Sequence, residues 1–485
     1  WGQPVQKMNQ SRREFLKNVG IGLAAATLPI ACYTKKTETV EKPNILFVMA
    51  DDMGPEWVSC YGAEEIITPN IDKLATEGMR FTNAYSMPKC TPTRASLLTG
   101  QYPWRTGWIN HWDVPRWGAG CHFDWKHYTS FGKVMQSTGY TTAVAGKWQV
   151  NDFRVQPDAL TNHGFDDWCM WTGYETGNKP SAERYWDPYL FTRDGSKTYP
   201  GQFGPDVFTD FLINFMSENR DKPMMIYYPM VDPHGPLVNT PNSPEAESNK
   251  EKFKGMAQHV DHQLGRLVKS IDDLGLRKKT VIIFTTDNGT ARNMKTTMNG
   301  RKVRGGKGEL GENGMHVPFV ASCPTRIPKG TVTDALTDFT DMLPTFAEFG
   351  GASLPEGETI DGHSIARLLT GKAEDSDREW IMAMGGGVAK LTDQGVIPQK
   401  DYADRVIRDK QYKMWVSEGS GVKLFDLTAD PGETTNLIDS SLPAIIAARK
   451  KFETAIVGFP DKDARPKYEP TPAQTWDLQV GDKYK

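Results

Sequence analysis

The sequence has no CxxC pair; its six cysteines stand apart at 32, 60, 90, 121, 169 and 323. That spacing excludes a zinc ribbon and a thioredoxin-type redox pair. An even count permits disulfides in an oxidising compartment but names no partners. There is no excess of positive charge either. Against 60 Asp and Glu stand 57 Lys and Arg, net −3 at pH 7, so no overall basic field points to nucleic acid or an anionic membrane. The apolar run at 19–31 is shorter than the roughly 20 residues a membrane-spanning helix needs. Internal repeats and low-complexity tracts are also missing. What remains is a chain of 485 residues with globular proportions, long enough to bury a large core and to form more than one domain.

Residues 1–32 read as an export signal. Ser11-Arg12-Arg13-Glu14-Phe15-Leu16-Lys17 precedes the weakly hydrophobic Gly- and Ala-rich run, which resembles a twin-arginine signal and implies the twin-arginine export machinery as a partner. The seven residues before Met8 are left out of this reading. Leu28-Pro29-Ile30-Ala31-Cys32 has the outline of a lipoprotein cleavage site, although Pro29 fits it poorly. Cys32 is therefore either a lipid anchor or is removed with the signal. The expected location is periplasmic or outer-surface.

After a polar linker at 33–42, strand and helix alternate. Residues 44–50 form a continuous apolar run of the kind found in buried parallel strands. A helix opens at Thr68-Pro69 and runs through Glu77, with Gly78 as its stop. Further strands are expected at 141–145, 224–231, 280–286 and 317–322, and a long amphipathic helix at about 250–274. This alternation predicts an α/β fold over 43–372, a mostly parallel sheet sandwiched by helices. Shorter strands at 380–384, 403–408, 411–415 and 422–427, then a helix at 442–457, predict a smaller α+β domain with an antiparallel sheet over 373–485.

Ligands in such folds bind beyond the carboxyl ends of the strands. Asp51-Asp52 follows the first strand, Lys147 the second, His234 the third and Asp287-Asn288 the fourth. Asp51, Asp52, Asp287 and Asn288 offer only hard oxygen ligands, which suit calcium or magnesium rather than zinc. An Asp-Asp pair by itself reads as a cap or a solvated turn; the second acidic element after another strand favours a metal site. Cys90 stands just before a helix expected at 93–98, where free N–H groups and the helix dipole favour an anion, and Pro92 suits the first turn.

Cys90-Thr91-Pro92-Thr93-Arg94, followed by Ala95-Ser96-Leu97-Leu98-Thr99-Gly100, resembles the signature of the type I sulfatases of the alkaline phosphatase superfamily. Ala145-Gly146-Lys147-Trp148, Thr286-Asp287-Asn288-Gly289, Arg304-Gly305-Gly306-Lys307 and Glu312-Asn313-Gly314-Met315-His316-Val317-Pro318 continue the likeness, and Leu424 to Glu433 resembles its C-terminal domain. The resemblance spans about 42–459. It implies a sulfuric ester hydrolase whose Cys90 is oxidised to formylglycine by the formylglycine-generating enzyme. It also implies one Ca2+ per active site, bound by Asp51, Asp52, Asp287, Asn288 and the modified Cys90. Hydrated formylglycine would attack sulfur, expel the alcohol and release sulfate by collapse to the aldehyde. Arg94 would position that hydroxyl, and Lys147 and Lys307 would bind sulfate oxygens. His234, held between Pro233 and Gly235-Pro236, is the candidate general acid. Hydrolysis of a sulfate ester asks for this combination of charge stabilisation and proton delivery.

One position departs from the family pattern. The Gly-Lys-Trp element commonly continues with histidine and here continues with Gln149, which hydrogen-bonds but takes no proton near neutral pH. That leaves the base for the collapse step unassigned. The segment 104–125 carries Trp104, Trp108, His111, Trp112, Trp117 and Trp125. Tryptophan faces stack on sugar rings, and Arg or His recognise added anionic groups. Trp104, Trp108, His111 and Gln149 are accordingly candidate substrate contacts for a sulfated carbohydrate; packing of the loop on itself is the competing reading. Two alternatives stay open: a phosphonate or phosphodiester hydrolase of the same superfamily, and an inactive sulfatase-like binding protein.

Overall fold

The computed structural model describes residues 42–109, 121–172, 184–385, 400–472 and 474, and the backbone of two short strands at 390–392 and 395–397. The segment read as an export signal, the Cys32 site and His111 lie outside the described residues. Residues 42–485 form one compact unit.

The strands, in chain order, are β1 Asn44–Ala50, β2 Met79–Tyr85, β3 Thr141–Lys147, β4 Asp167–Trp171, β5 Tyr189–Thr192, β6 Gly195–Thr198, β7 Met224–Pro229, β8 Thr280–Thr286, β9 Lys295–Met298, β10 Arg301–Arg304, β11 Phe319–Ser322 and β12 Thr331–Asp338. Ten of them make one sheet in the order β12-β2-β11-β8-β1-β7-β3-β4-β5-β6, and β9 and β10 pair separately. The middle, β8-β1-β7-β3-β4, is parallel throughout. The flanks depart from the parallel pattern. β11 runs antiparallel to both of its neighbours, and β4, β5 and β6 are successively antiparallel. Only Arg193 and Asp194 separate β5 from β6, a connection too short for anything but a hairpin.

All seven residues of β1 are buried. Their side chains alternate, Ile45, Phe47 and Met49 into one apolar cluster and Leu46, Val48 and Ala50 into another, so the sheet is covered on both faces. The long helix Asn249–Asp273 covers the second face through Phe253, Met256, Val260, Leu264, Leu267 and Ile271, at helical spacing. Ser248 and Glu251 close its start in a capping box, satisfying N–H groups that a helix start otherwise leaves bare.

A second sheet follows: β13 Ile381–Met384, then β16 Arg405–Arg408, β17 Tyr412–Ser417 and β18 Gly421–Asp426, in the order β13-β16-β17-β18 and antiparallel. Between the first two lies the short pair β14 Lys390–Thr392 and β15 Gly395–Ile397. The closing helix Pro443–Val457 packs Ile445 and Phe452 on Ile407, Met414 and Leu424.

A buried charge network ties this sheet to the larger one. Glu312 meets Arg408 at 2.7 Å and Lys413 at 3.1 Å, and accepts from Tyr85 Oη at 2.8 Å. Lys413 also pairs with Glu433 at 3.0 Å. Burial alone would raise the Glu312 carboxyl, but Arg408 and Lys413 outweigh it and hold it at about 2. Its contribution to stability is therefore complete above its ordinary value of 4.5 and is lost as pH falls through about 2. Glu312→Gln is expected to cost about 3 kcal/mol at neutral pH and roughly half that near pH 3, where the folded carboxylate is still ionised. Urea unfolding at about pH 7 and about pH 3 checks this, and an equal loss at both would contradict it.

Candidate active site

Because β8, β1, β7 and β3 are adjacent and parallel, their carboxyl ends share one edge of the sheet. Backbone bonds extend the ladder past the strands and set the heights of the following residues: Asp287 N donates to Ala50 O and Asp51 N to Asp232 O, each at 3.0 Å. In a strand, consecutive side chains point to opposite faces. Asp52 escapes that rule by adopting φ +68, a region uncommon outside glycine, and both carboxylates of the Asp51-Asp52 pair reach one spot.

The resulting cluster is tightly connected. Lys147 Nζ lies 2.5 Å from Asp51 Oδ2. Arg94 Nη2 lies 2.7 Å from Asp287 Oδ2 and 3.7 Å from Asp51 Oδ2, while Arg94 Nη1 donates to Lys147 O at 2.8 Å. Lys307 Nζ lies 2.6 Å from Asp52 Oδ1 and 2.7 Å from its Oδ2, and Asn288 Nδ2 donates to Asp52 Oδ1 at 2.8 Å. Asp287 Oδ1 accepts from Asp52 N at 3.2 Å. His234 Nε2 stands 3.7 Å from Asp52 Oδ2.

Cys90 is the first residue of the helix Cys90–Thr99, so the helix starts earlier than the sequence predicts. All ten of its residues are buried, which explains why its sequence shows no amphipathic pattern. Gly100 ends it at φ +67. The thiol sits within electrostatic reach of Lys89, Arg94 and Lys307.

Electrostatics differentiate these groups. Burial would raise Asp51, but the cations Lys147, Arg94 and Lys307 together hold it well below the usual carboxylate range. Burial, with Asp51 beside it, pushes Asp287 up to about 7. Burial also raises Asp52, against the pull of Lys307. Lys307 remains a cation because Asp52 outweighs the cost of its burial. Burial, reinforced by Lys307 and Arg184, holds His234 well below its ordinary value, so the imidazole is neutral near pH 7. Arg184 Nη2 lies 2.7 Å from His234 Nδ1. The same Nδ1 lies 2.7 Å from Gly235 O, so this ring nitrogen meets both a donor and an acceptor, while Nε2 faces Asp52.

A divalent cation suits this donor set. Asp51 Oδ1 and Asn288 Oδ1 are buried acceptors that receive no hydrogen bond from the protein. Asp51, Asp52 and His234 bring one ligand atom each within 4.8 Å of one another, the one such group among the described residues. Oxygen dominates the set, which favours calcium or magnesium.

The structure thus brings Asp51, Asp52, Arg94, Lys147, His234, Asp287, Asn288 and Lys307 into one cluster with Cys90 beside it. Asp287 joins it through Arg94 and the Asp52 backbone. Gln149 follows at the end of β3, half-buried at φ +72. The tryptophans behave differently from the sugar-stacking expectation. Trp108 is fully buried edge-on to Phe123, and Trp104 packs on Phe459 with the Arg105 guanidinium 4.2 Å above its ring. Neither offers a free face to a sugar, because the apolar area of these two rings is spent on packing.

Two contributors have no sequence signature. Arg184, 1% exposed and 4.5 Å over the Trp171 ring, orients His234 from a segment with no motif. Trp415 of β17 reaches a cleft of about 860 Å³ that runs from Lys307 to the second sheet. Lys89 lines the same cleft, and its one signal was its place beside Cys90.

Comparison with known proteins gives consistent likenesses. A family model described as "Sulfatase" matches residues 43–352, and one described as "N-sulphoglucosamine sulphohydrolase, C-terminal" matches residues 307–455. The chain is 30% identical over 466 residues to arylsulfatase A of Bos taurus, covering 85% of this chain and 87% of that protein. It is 28% identical over 438 residues to the ulvan-active sulfatase of Formosa agariphila, with 83% and 80% covered. The crystal structure of Ps i-CgsB in complex with k-i-k-neocarrahexaose matches with a TM-score of 0.72 at 25% identity, covering 90% of this chain and 96% of that one.

Proposed function

The chain belongs to the sulfatase family and is a sulfuric ester hydrolase; from that premise we propose that it removes sulfate from a sulfated carbohydrate, with Cys90 converted to formylglycine as nucleophile and calcium as its metal. The observation that carries this reading is the pair of buried, donor-free oxygens, Asp51 Oδ1 and Asn288 Oδ1, beside two buried cations, Arg94 and Lys147, the half-buried Lys307 and Cys90. The carbohydrate assignment is supported by the ulvan-active relative and by the carrageenan-type oligosaccharide bound to the structural neighbour.

Asp51, Asp52 and Asn288 would hold the calcium ion, with Asp287 and His234 adjoining. When bound, it supplies positive charge that polarises the ester and favours the ionised nucleophile. Formylglycine supplies a hydroxyl nucleophile in place of the thiol. The remaining work falls to this chain's own side chains. Asp51, Asp52 and Asp287 face Arg94, Lys147 and Lys307, so the protein's charges nearly cancel. A divalent cation would leave the pocket positive, matched to an anionic ester and to the sulfate it becomes. Lys147 and Lys307 are the ammonium groups placed to bind sulfate oxygens, and Arg94 holds the loops in register. His234 presents Nε2 toward Asp52, from which its protonated form can pass a proton to the departing oxygen. Burial of nearly every group keeps bulk water from screening them. The leader at 1–32 is proposed to export the chain, with the formylglycine-generating enzyme acting during maturation.

Release of sulfate from 4-nitrophenyl sulfate and from defined sulfated oligosaccharides tests the reading, using protein matured with the formylglycine-generating enzyme. Absence of release from every one of them would overturn it. Metal binding has its own readout. Calcium at about 1,000 times its Kd is expected to raise the unfolding temperature by about 4 °C over chelated protein. The double variant Asp51→Asn, Asp52→Asn should show no such response. An equal response in both proteins would rule out this site for the ion.

A further inference from the structure

The cleft that opens onto Lys307 carries more positive charge than one sulfate requires. Its lining includes Lys89, Arg292, Lys307, Glu309, Asp404 and Trp415. Lys307 is engaged at the reaction centre by Asp52. The carboxylates of the cleft are also engaged: Asp404 pairs with Lys400 at 2.8 Å, and Glu309 with Arg304 at 2.7 Å and more loosely with Arg292 at 3.9 Å. Lys89 is the exception. Among the described residues no carboxylate lies within ion-pair distance of it, and Lys307 and Arg292 are the nearest charges of its own sign that act on it. Lys89 therefore brings a charge to the cleft that no carboxylate within ion-pair distance offsets, and an entering anion can offset it.

Lys89 stands at the N-cap position of the buried helix Cys90–Thr99, without a side-chain capping bond, and its stem passes beside Gly308, where an added Cβ would come 3.3 Å from Lys89 Cε. Gly308 N donates to Pro88 O at 2.7 Å, which fastens the two loops together. In the same cleft, Trp415 Nε1 donates to Glu433 at 2.9 Å, which sets the plane of the indole. An aromatic face in the same cleft as ammonium and guanidinium groups is a recognition element for a sugar ring bearing an anionic substituent.

Resting on the sulfatase reading above, we infer that the preferred substrate is a sulfated sugar carrying a second anionic group, sulfate or carboxylate, which Lys89 and Arg292 bind while Trp415 stacks on the ring. The scissile sulfate lies on the Lys307 side and the second anion on the Lys89 side. Selectivity for doubly anionic sugars is thus a property of the cleft and not of the reaction centre.

The test is calorimetric binding to protein carrying Cys90→Ala, which stops turnover, using matched mono- and disulfated forms of glucosamine, galactose and fucose. The disulfated member of at least one pair should bind about tenfold or more tightly than its monosulfated counterpart. With K89A and R292A added, that ratio should fall to about twofold or less, and K89R should keep it. Because the readout is a ratio, a general weakening of sulfate binding cancels. If the combined variant does not fold, K89Q and R292Q tested singly replace it. Equal binding within every pair, or a ratio that survives both substitutions, overturns the inference. Should the matured enzyme release sulfate from 4-nitrophenyl sulfate while no pair shows a preference, the inference alone falls; failure on all substrates sinks the sulfatase reading itself.

Discussion

Cys90→Ala is expected to reduce sulfate release by at least about 10⁴-fold, the scale seen when the nucleophile of a covalent mechanism is removed. The substitution is sterically mild, since Cys90 is 6% exposed at the start of a helix whose other residues supply its packing. Alanine suits a helix and removes only a sulfur. Unfolding should therefore change little while catalysis disappears, and that separation is the diagnostic feature. Sulfate release and thermal unfolding, measured on matured protein and its Cys90→Ala counterpart, check it. Mass spectrometry of the peptide spanning 90 adds a direct readout, because the aldehyde is lighter than the thiol it replaces. An alanine variant with near-native activity would refute the nucleophile assignment.

Arg94→Ala should damage both stability and activity. Its guanidinium is 1% exposed and joins three strand ends: Asp287 at 2.7 Å, Lys147 O at 2.8 Å and Asp51 at 3.7 Å. Removing it leaves Asp287 buried beside Asp51 with its closest cation gone. Breaking a buried pair in this way costs about 3–5 kcal/mol. Lost alignment of the donors at the reaction centre should lower kcat/KM by a further factor of about 10² to 10³. Arg94→Lys keeps one charge but not the two-pronged reach, and should fall between the two. Chemical denaturation with parallel kinetics on both variants decides the matter. Unchanged stability in Arg94→Ala would mean that the network does not organise the site. If that variant does not fold, Arg94→Lys still reports on it.

Much of this site was readable because its residues follow strand ends. Asp51, Lys147, His234 and Asp287 each come directly after an apolar run, and in a parallel α/β sheet those positions share an edge. The long helix was readable for a similar reason: apolar residues recur at its own period and Ser248 and Glu251 mark its start. The Cys90–Thr99 helix was legible only through its motif, since burial on every side erases amphipathic periodicity. Trp108 shows the opposite failure. Composition marks a tryptophan as available for stacking, while packing determines which way its ring faces. Arg184 and Trp415 carried no local mark, because what they touch, His234 and the cleft, is far from them in the chain.

The sequence alone determined the elements, the order in which chemistry-bearing residues follow them, and the family to which the chain belongs. Local periodicity and short motifs encode those properties, and neither depends on what lies across the sheet. The tertiary structure decided the antiparallel flanks, the inward turn of Trp104 and Trp108, the contact of Arg184 with His234, and the meeting of Lys307 with Asp52 across 255 residues of chain. It also decided which buried oxygens receive no donor from the protein. Each of these is a pairing between distant segments, and a pairing energy exists only once both partners have been brought together and removed from water.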